Sequence, residues 1–168
     1  MKTLFLLRHA KSSWDNPDLK DFERPLSDRG LADVPVMAER FMSRQGAIES
    51  RVDCIICSPA VRTKTTAKLL AEQLAYPQDE IGSNPELYFA GSNMFLKAAS
   101  LVDETNNSAM LVGHNPAITE FANAMTGESI ENIPTCGLVE MQLAIDNWSD
   151  IELGSGTLVE FDYPKKKK

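Results

Sequence analysis

The chain reads as an α/β protein whose layer is built on a largely parallel sheet, and three observations predict it. Short apolar runs rich in branched residues occur at Leu4 to Leu7, Val52 to Cys57 and Met110 to Val112, each about the length of a buried strand. Segments with helical spacing lie between and after these runs, so strand and helix alternate. The only two histidines, His9 and His114, each stand just past such a run, beside a turn. In open α/β sheets that edge is where ligands bind.

Leu4 to Leu7 is expected as the first strand. Its apolar stretch could pass for a secretory segment, but it stops at Arg8-His9 and no small-residue cleavage site follows. Asp28 to Arg44 has helical spacing behind Ser27, a good N-cap, and Pro35 inside it predicts a restart or kink near Asp33-Val34. Val52 to Cys57 is the second strand. Ser58-Pro59 then predicts a capped helix over Ala60 to Leu74 with proline at its first position, where the missing N–H costs little. A helix over Asn93 to Val102 and a strand over Met110 to Val112 follow, and Asn115-Pro116 repeats the cap-and-proline signal before a helix ending near Met125. Leu138 to Leu143 and Thr157 to Phe161 are the last candidate strands. Two helix starts follow directly on strands, so Ser58 to Arg62 and His114 to Pro116 should share a sheet edge with His9. Free amides at helix starts favour an anion there.

A length of 168 residues with 43% hydrophobic content suits one domain, read as residues 1–164, with Lys165 to Lys168 as a solvated, mobile tail. Net charge is −7, and since the four terminal lysines carry +4, the rest of the chain carries −11. Such a body should repel nucleic acid and anionic membrane. No stretch approaches the roughly 20 apolar residues of a membrane span, and a soluble, cytoplasmic protein is expected. Cys54, Cys57 and Cys136 are an odd number without a disulfide framework, which fits a reducing compartment. Cys54-Ile55-Ile56-Cys57 has redox-motif spacing, but residues three apart on a strand point to opposite faces, so buried structural thiols are expected. With two histidines and no clustered cysteines a zinc site has little to build on, and no metal or cofactor is expected.

Arg8 beside His9, Arg62 in the first turn of the second helix and His114 at another strand end form a set suited to phosphoryl transfer. That chemistry needs a nucleophile in line with the leaving group and cations around the equatorial oxygens. A neutral imidazole can attack phosphorus to make a phosphohistidine, dividing the transfer into two easier steps. The ordinary histidine pKa of about 6.5 leaves it substantially neutral near pH 7. Guanidinium forks match phosphate oxygens, and His114 would stabilise developing charge from the other side. An isolated strand-end histidine more often serves structure. The company of His9 is what points to catalysis.

Leu7-Arg8-His9-Ala10 resembles the Arg-His-Gly signature of the histidine phosphatase superfamily, also called the phosphoglycerate mutase-like superfamily. Ser58-Pro59-Ala60-Val61-Arg62-Thr63-Lys64-Thr65-Thr66-Ala67 resembles its Ser-Pro-x-x-Arg-x-x-x-Thr-Ala segment, and Val112-Gly113-His114-Asn115 its second-histidine segment. Arg8 to Trp14 and Glu23 to Gly30 are similar to the SixA-like phosphohistidine phosphatase branch. Ala10 stands where the wider superfamily usually has glycine. Three segments in the correct order, each at a strand-to-turn junction, make a strong signal.

The resemblance implies a single three-layer α/β/α domain of phosphoglycerate mutase-like fold, with His9 as nucleophile and Arg8, Arg62 and His114 around the phosphate. It adds Arg24 as a phosphate or substrate contact and Glu86, in Pro85-Glu86-Leu87-Tyr88, as the candidate general acid. An acid in that role needs a raised pKa, whereas an imidazole leaving group needs less help, so Glu86 should matter little for phosphohistidine. Trp14 and Tyr88 are read either as lining the pocket or as packing in the core or at the rim. A short chain has little material with which to enclose a small molecule, and an open pocket suits a phosphoryl group displayed on a protein such as a phosphorelay carrier. The expected activity is metal-independent hydrolysis through phospho-His9. Two other readings stand beside it. A phosphatase for a small phosphomonoester would make Glu86 essential, and a noncatalytic phosphate- or phosphoprotein-binding module would bind without turnover.

Overall fold

The structure, a computed structural model, describes residues 1–45, 52–88 and 91–167. Six strands form one sheet: β1 (Lys2–Arg8), β2 (Cys54–Cys57), β3 (Gly82–Ser83), β4 (Ser108–Gly113), β5 (Leu138–Leu143) and β6 (Gly156–Asp162), in the order β3-β2-β4-β1-β5-β6. The first four strands are mutually parallel, and β5 and β6 add antiparallel pairings at the other side. All of β4 is buried, as a central parallel strand covered on both faces must be. Four helices accompany the sheet: α1 (Asp28–Gln45), α2 (Val61–Gln73), α3 (Ser92–Ser100) and α4 (Ala117–Thr126).

Alternation along the strands divides the core between the two faces. Leu4, Leu6 and Leu111 pack with Phe95 of α3 and Phe121 of α4, while Phe5, Leu7 and Met110 pack with Phe41 of α1 and Leu70 of α2. The result is the expected three-layer α/β/α arrangement. Cys54 packs against the first cluster and Cys57 belongs to the second, so the pair does point to opposite faces, and all three cysteines are free. Among the described residues no helix is long and apolar enough to cross a membrane.

Two expectations need correction. Pro35 lies inside α1, which runs on without a restart. The ring frees the carbonyl of Leu31, but Leu31, Ala32, Pro35 and Val36 all lie on the exposed face, where water can satisfy that group. The two Ser/Asn-Pro signals mark helix approaches rather than first helical positions: Ala60 caps α2 and Pro116 caps α4. Ser58 Oγ accepts from Ala60 N at 3.4 Å and also meets His114 Nε2, while the Asn115 side chain bonds Thr119, Asn132 and Ile133. Ser27, by contrast, caps α1 as expected, its Oγ accepting from Gly30 N at 3.1 Å. Of the four terminal lysines, Lys168 lies outside the described residues. Lys166 folds back, its Nζ donating to Glu160 Oε1 at 2.9 Å and to Phe161 O at 2.5 Å.

Gly30 matters to the site. A Cβ there would stand 2.2 Å from the carbonyl oxygen of Lys11, so the first turn of α1 packs directly on the segment that follows β1.

Candidate active site

Strand register assembles the site. Arg8 pairs with Gly113 and Cys57 with Val112, so His9, Ser58 and His114 emerge at the same edge of the three central strands. Backbone bonds carry the register past the strand ends: His9 N donates to Gly113 O at 3.2 Å, and Ser58 N to Val112 O at 3.0 Å. Gly113 is required by packing, since a Cβ would lie 2.6 Å from the Phe95 ring. The two imidazole centroids are 5.3 Å apart.

Each site side chain is held by a neighbour that sequence spacing alone does not reveal. His9 is 7% exposed, and its Nδ1 lies 2.7 Å from the carbonyl of Ala10. A carbonyl only accepts, so Nδ1 carries the proton and Nε2 keeps its lone pair. Ala10 N is in turn bound by Thr66 Oγ1 of α2 at 3.0 Å. His114 Nε2 sits 2.8 Å from Ser58 Oγ. Arg8 Nη1 donates to Ile133 O at 2.8 Å, beyond β1. Ser58 and Thr66 lie within the segment already singled out around Arg62, but nothing in their spacing discloses these partners.

The loop after β1 doubles back through an isolated antiparallel bridge between Ser12 and Leu26, carrying Asp21 and Arg24 to the site. Arg24, 8% exposed, donates to Ser12 Oγ at 2.6 Å and to Asp21 Oδ1 at 2.7 Å, and its guanidinium stacks 3.7 Å from the Trp14 ring centroid. Arg62, 6% exposed, donates to Asp21 O at 2.7 Å and to Asp21 Oδ2 at 3.0 Å. Tyr88 Oη donates to the same Oδ2 at 2.6 Å. Burial alone would push the Asp21 carboxyl up, but the bonds from Arg24, Tyr88 and Arg62 outweigh it and hold the group well below the usual carboxylate range. Asp21 is the residue that sequence reasoning missed, and no periodicity or motif marks it.

A cavity of about 380 Å³ opens beside His114, lined by Asp21, Arg62, Leu87, Tyr88, Asn115, Pro116 and Ala117. Glu86 does not line it. That carboxylate lies on a short 3₁₀ turn, Pro85–Leu87, where it pairs with Lys97 at 3.2 Å and is about half exposed. Its neighbours Leu87 and Tyr88 supply the wall instead. Trp14 stands at the rim, 69% exposed over Arg24.

Burial keeps both imidazoles neutral. It lowers His9 to about 4, aided by Arg62, Arg8 and Arg24 and opposed by the bond to Ala10. It also lowers His114 to about 3, with His9 and Arg62 adding to the effect. An unfolded imidazole takes its proton near pH 6.5, so below that pH the unfolded chain binds more protons than the folded one. The pair's contribution is therefore complete above pH 6.5 and is lost as pH falls towards 4, on the order of a few kcal/mol. Urea midpoints measured from pH 7 to 4.5 should fall along this limb, and replacing both histidines by glutamine should flatten it. An equally steep limb in the double variant would assign the acid sensitivity elsewhere.

Comparison with known proteins places this geometry. A family model described as Histidine phosphatase superfamily (branch 1) matches residues 4–87, half of the chain. An uncharacterized chloroplastic protein of Arabidopsis thaliana is 30% identical over 92% of this chain and 72% of its own length. Among solved structures, a protein assigned as the phosphohistidine phosphatase SixA of Agrobacterium tumefaciens is 29% identical, covers 97% of this chain and 98% of its own, and superposes with a TM-score of 0.80. The protein histidine phosphatase SixA complexed with tungstate, at 21% identity, shares the fold with a TM-score of 0.80 over 96% of this chain and 97% of its own. With the Arg8-His9 pair, Arg62 and His114 gathered at one sheet edge, the chain belongs to the histidine phosphatase superfamily and has the SixA-like form of its fold.

Proposed function

We propose that this protein is a metal-independent phosphatase that works through a covalent phospho-His9 and acts on phosphohistidine carried by a protein. The observation that supports it most is a set of buried, unpartnered nitrogens. Among the described residues, Nε of Arg8, Nε of Arg24, Nε of Arg62 and Nδ1 of His114 have no hydrogen-bond partner. All four belong to residues gathered at the His9 edge, and such groups are costly unless an anion receives them. A phosphoryl group supplies the acceptors.

His9 Nε2 attacks phosphorus while Nδ1 remains bonded to Ala10 O, which stabilises the positive ring as the bond to phosphorus forms. Ser58 Oγ accepts from Ala60 N and can give its own proton to His114 Nε2, leaving His114 Nδ1–H to donate to a phosphoryl oxygen. Arg8 and Arg62 hold the remaining charge, and Arg24 reaches the site from the Asp21 loop. Water then cleaves phospho-His9, regenerating the neutral imidazole.

The cavity beside His114 lies at the surface, and the carboxylate expected as proton donor turns to Lys97, which favours a leaving group that needs no donated proton. Glu86→Gln should therefore change kcat/KM on a phosphohistidine protein by less than about threefold, where loss of a working general acid costs about a hundredfold or more. A loss of that size, with one small ester as the preferred substrate, would move the protein to the phosphomonoesterases. The direct test measures phosphate release from a phosphohistidine carrier protein and a panel of small esters, with chelator present. Carrier turnover above every ester is the expected result, and binding without turnover would instead indicate a phosphoprotein-binding module.

A further inference from the structure

The Asp21 carboxylate is the least explained group at the site. It places a negative charge on the wall of a cavity where a phosphoryl group is to bind, and three donors hold it there: Arg24 on Oδ1, and Arg62 and Tyr88 on Oδ2. A carboxylate offers about four acceptor positions, so one remains, on Oδ1, among the described residues. Arg24 is itself fixed by Ser12 and Trp14, which prevents the carboxylate from turning away. The same cavity is walled by the Tyr88 ring, Leu87, Pro116 and Ala117, surfaces suited to a flat apolar ring. Arg62 and His114 border the same cavity, so it is the space beside the proposed phosphoryl position into which a leaving group can extend.

Resting on the phosphohistidine reading, we propose that Asp21 is a specificity-determining residue that accepts a hydrogen bond from the distal, protonated ring nitrogen of the leaving imidazole. In the first step the P–N bond of the substrate breaks, its electron pair returning to the leaving nitrogen, as the bond from His9 Nε2 to phosphorus forms. A ring already protonated at its distal nitrogen then departs as neutral imidazole and needs no proton at the leaving nitrogen. Asp21 gives up nothing in this step. Its charge favours the protonated ring through a charge-assisted hydrogen bond. An alcohol has no second nitrogen to present, so the same carboxylate does nothing for it, and its alkoxide still needs an acid.

The test compares wild type, Asp21→Asn and Asp21→Glu on free phosphohistidine and on p-nitrophenyl phosphate, whose leaving group has no ring N–H. The ratio of kcat/KM for phosphohistidine over that for the aryl ester should fall at least about tenfold in Asp21→Asn, the loss expected for one charge-assisted hydrogen bond. Asp21→Glu, which keeps the charge, should retain more of that ratio. An unchanged ratio, with both substrates losing equally, would show that Asp21 only holds the arginines and would overturn the assignment, as would a glutamate variant no better than asparagine. A wild type that hydrolyses the ester but neither free phosphohistidine nor the phosphohistidine carrier protein would overturn the substrate reading itself, a result distinct from either variant outcome.

Discussion

Replacing His9 by alanine should lower phosphatase turnover by at least about a thousandfold while leaving the chain folded. His9 stands one residue past β1, held by its backbone bond to Gly113 and by the Nδ1 contact with Ala10 O, and Nε2 is the atom left to attack. His114 is not expected to take over, because its Nε2 is engaged with Ser58 Oγ and its ring centroid lies 5.3 Å from that of His9. Nor can a thiol. Cys57 and Cys136 are buried, and burial pushes both pKa values up, away from the reactive thiolate. The measurement is phosphate release together with trapping of an acid-labile, base-stable phosphoenzyme, with circular dichroism to confirm the fold. Substantial turnover in the variant would remove His9 from the nucleophile role, whatever the substrate.

The second large effect is expected at Arg62, where alanine should lower kcat and kcat/KM together by about a hundred- to a thousandfold. Arg62 is the second residue of α2, yet it is almost fully buried. Its terminal nitrogens hold the Asp21 backbone and carboxylate, and its Nε has no partner among the described residues. In the proposed reaction one side chain thus serves both the phosphoryl group and the loop that carries Arg24. Lysine should not restore the rate, since a point charge cannot span the Asp21 carbonyl and carboxylate as the fork does. A raised KM with unchanged kcat would show that Arg62 binds the ground state only.

Much of this architecture is legible residue by residue. β1, β2 and β4 appear where apolar runs of strand length predict them, and the four helices follow the spacing of their apolar residues. Helix starts were less legible, because Ser58 and Asn115 also meet side chains distant in sequence or a turn away, His114 and Thr119, and the helices begin after their prolines. Pro35 misleads for a similar reason. Its cost depends on whether the freed carbonyl faces water, which the order of residues does not state. The tail lysines look alike in sequence, but among the described ones Lys166 bonds both Glu160 and the Phe161 carbonyl.

By itself the sequence determined the alternation of strands and helices and the residues that stand at the strand ends, Arg8, His9 and His114, with Arg62 opening α2. Both depend on local properties, apolar period and position relative to a strand terminus. Only the tertiary structure decided how those side chains are held, that Glu86 turns to Lys97, and that Asp21 stands between Arg24, Arg62 and Tyr88. Asp21 meets Arg62 across 41 positions of chain and Tyr88 across 67. Contacts at that separation depend on which loops the sheet order brings to one edge, and a carboxylate's role depends on the donors it meets there.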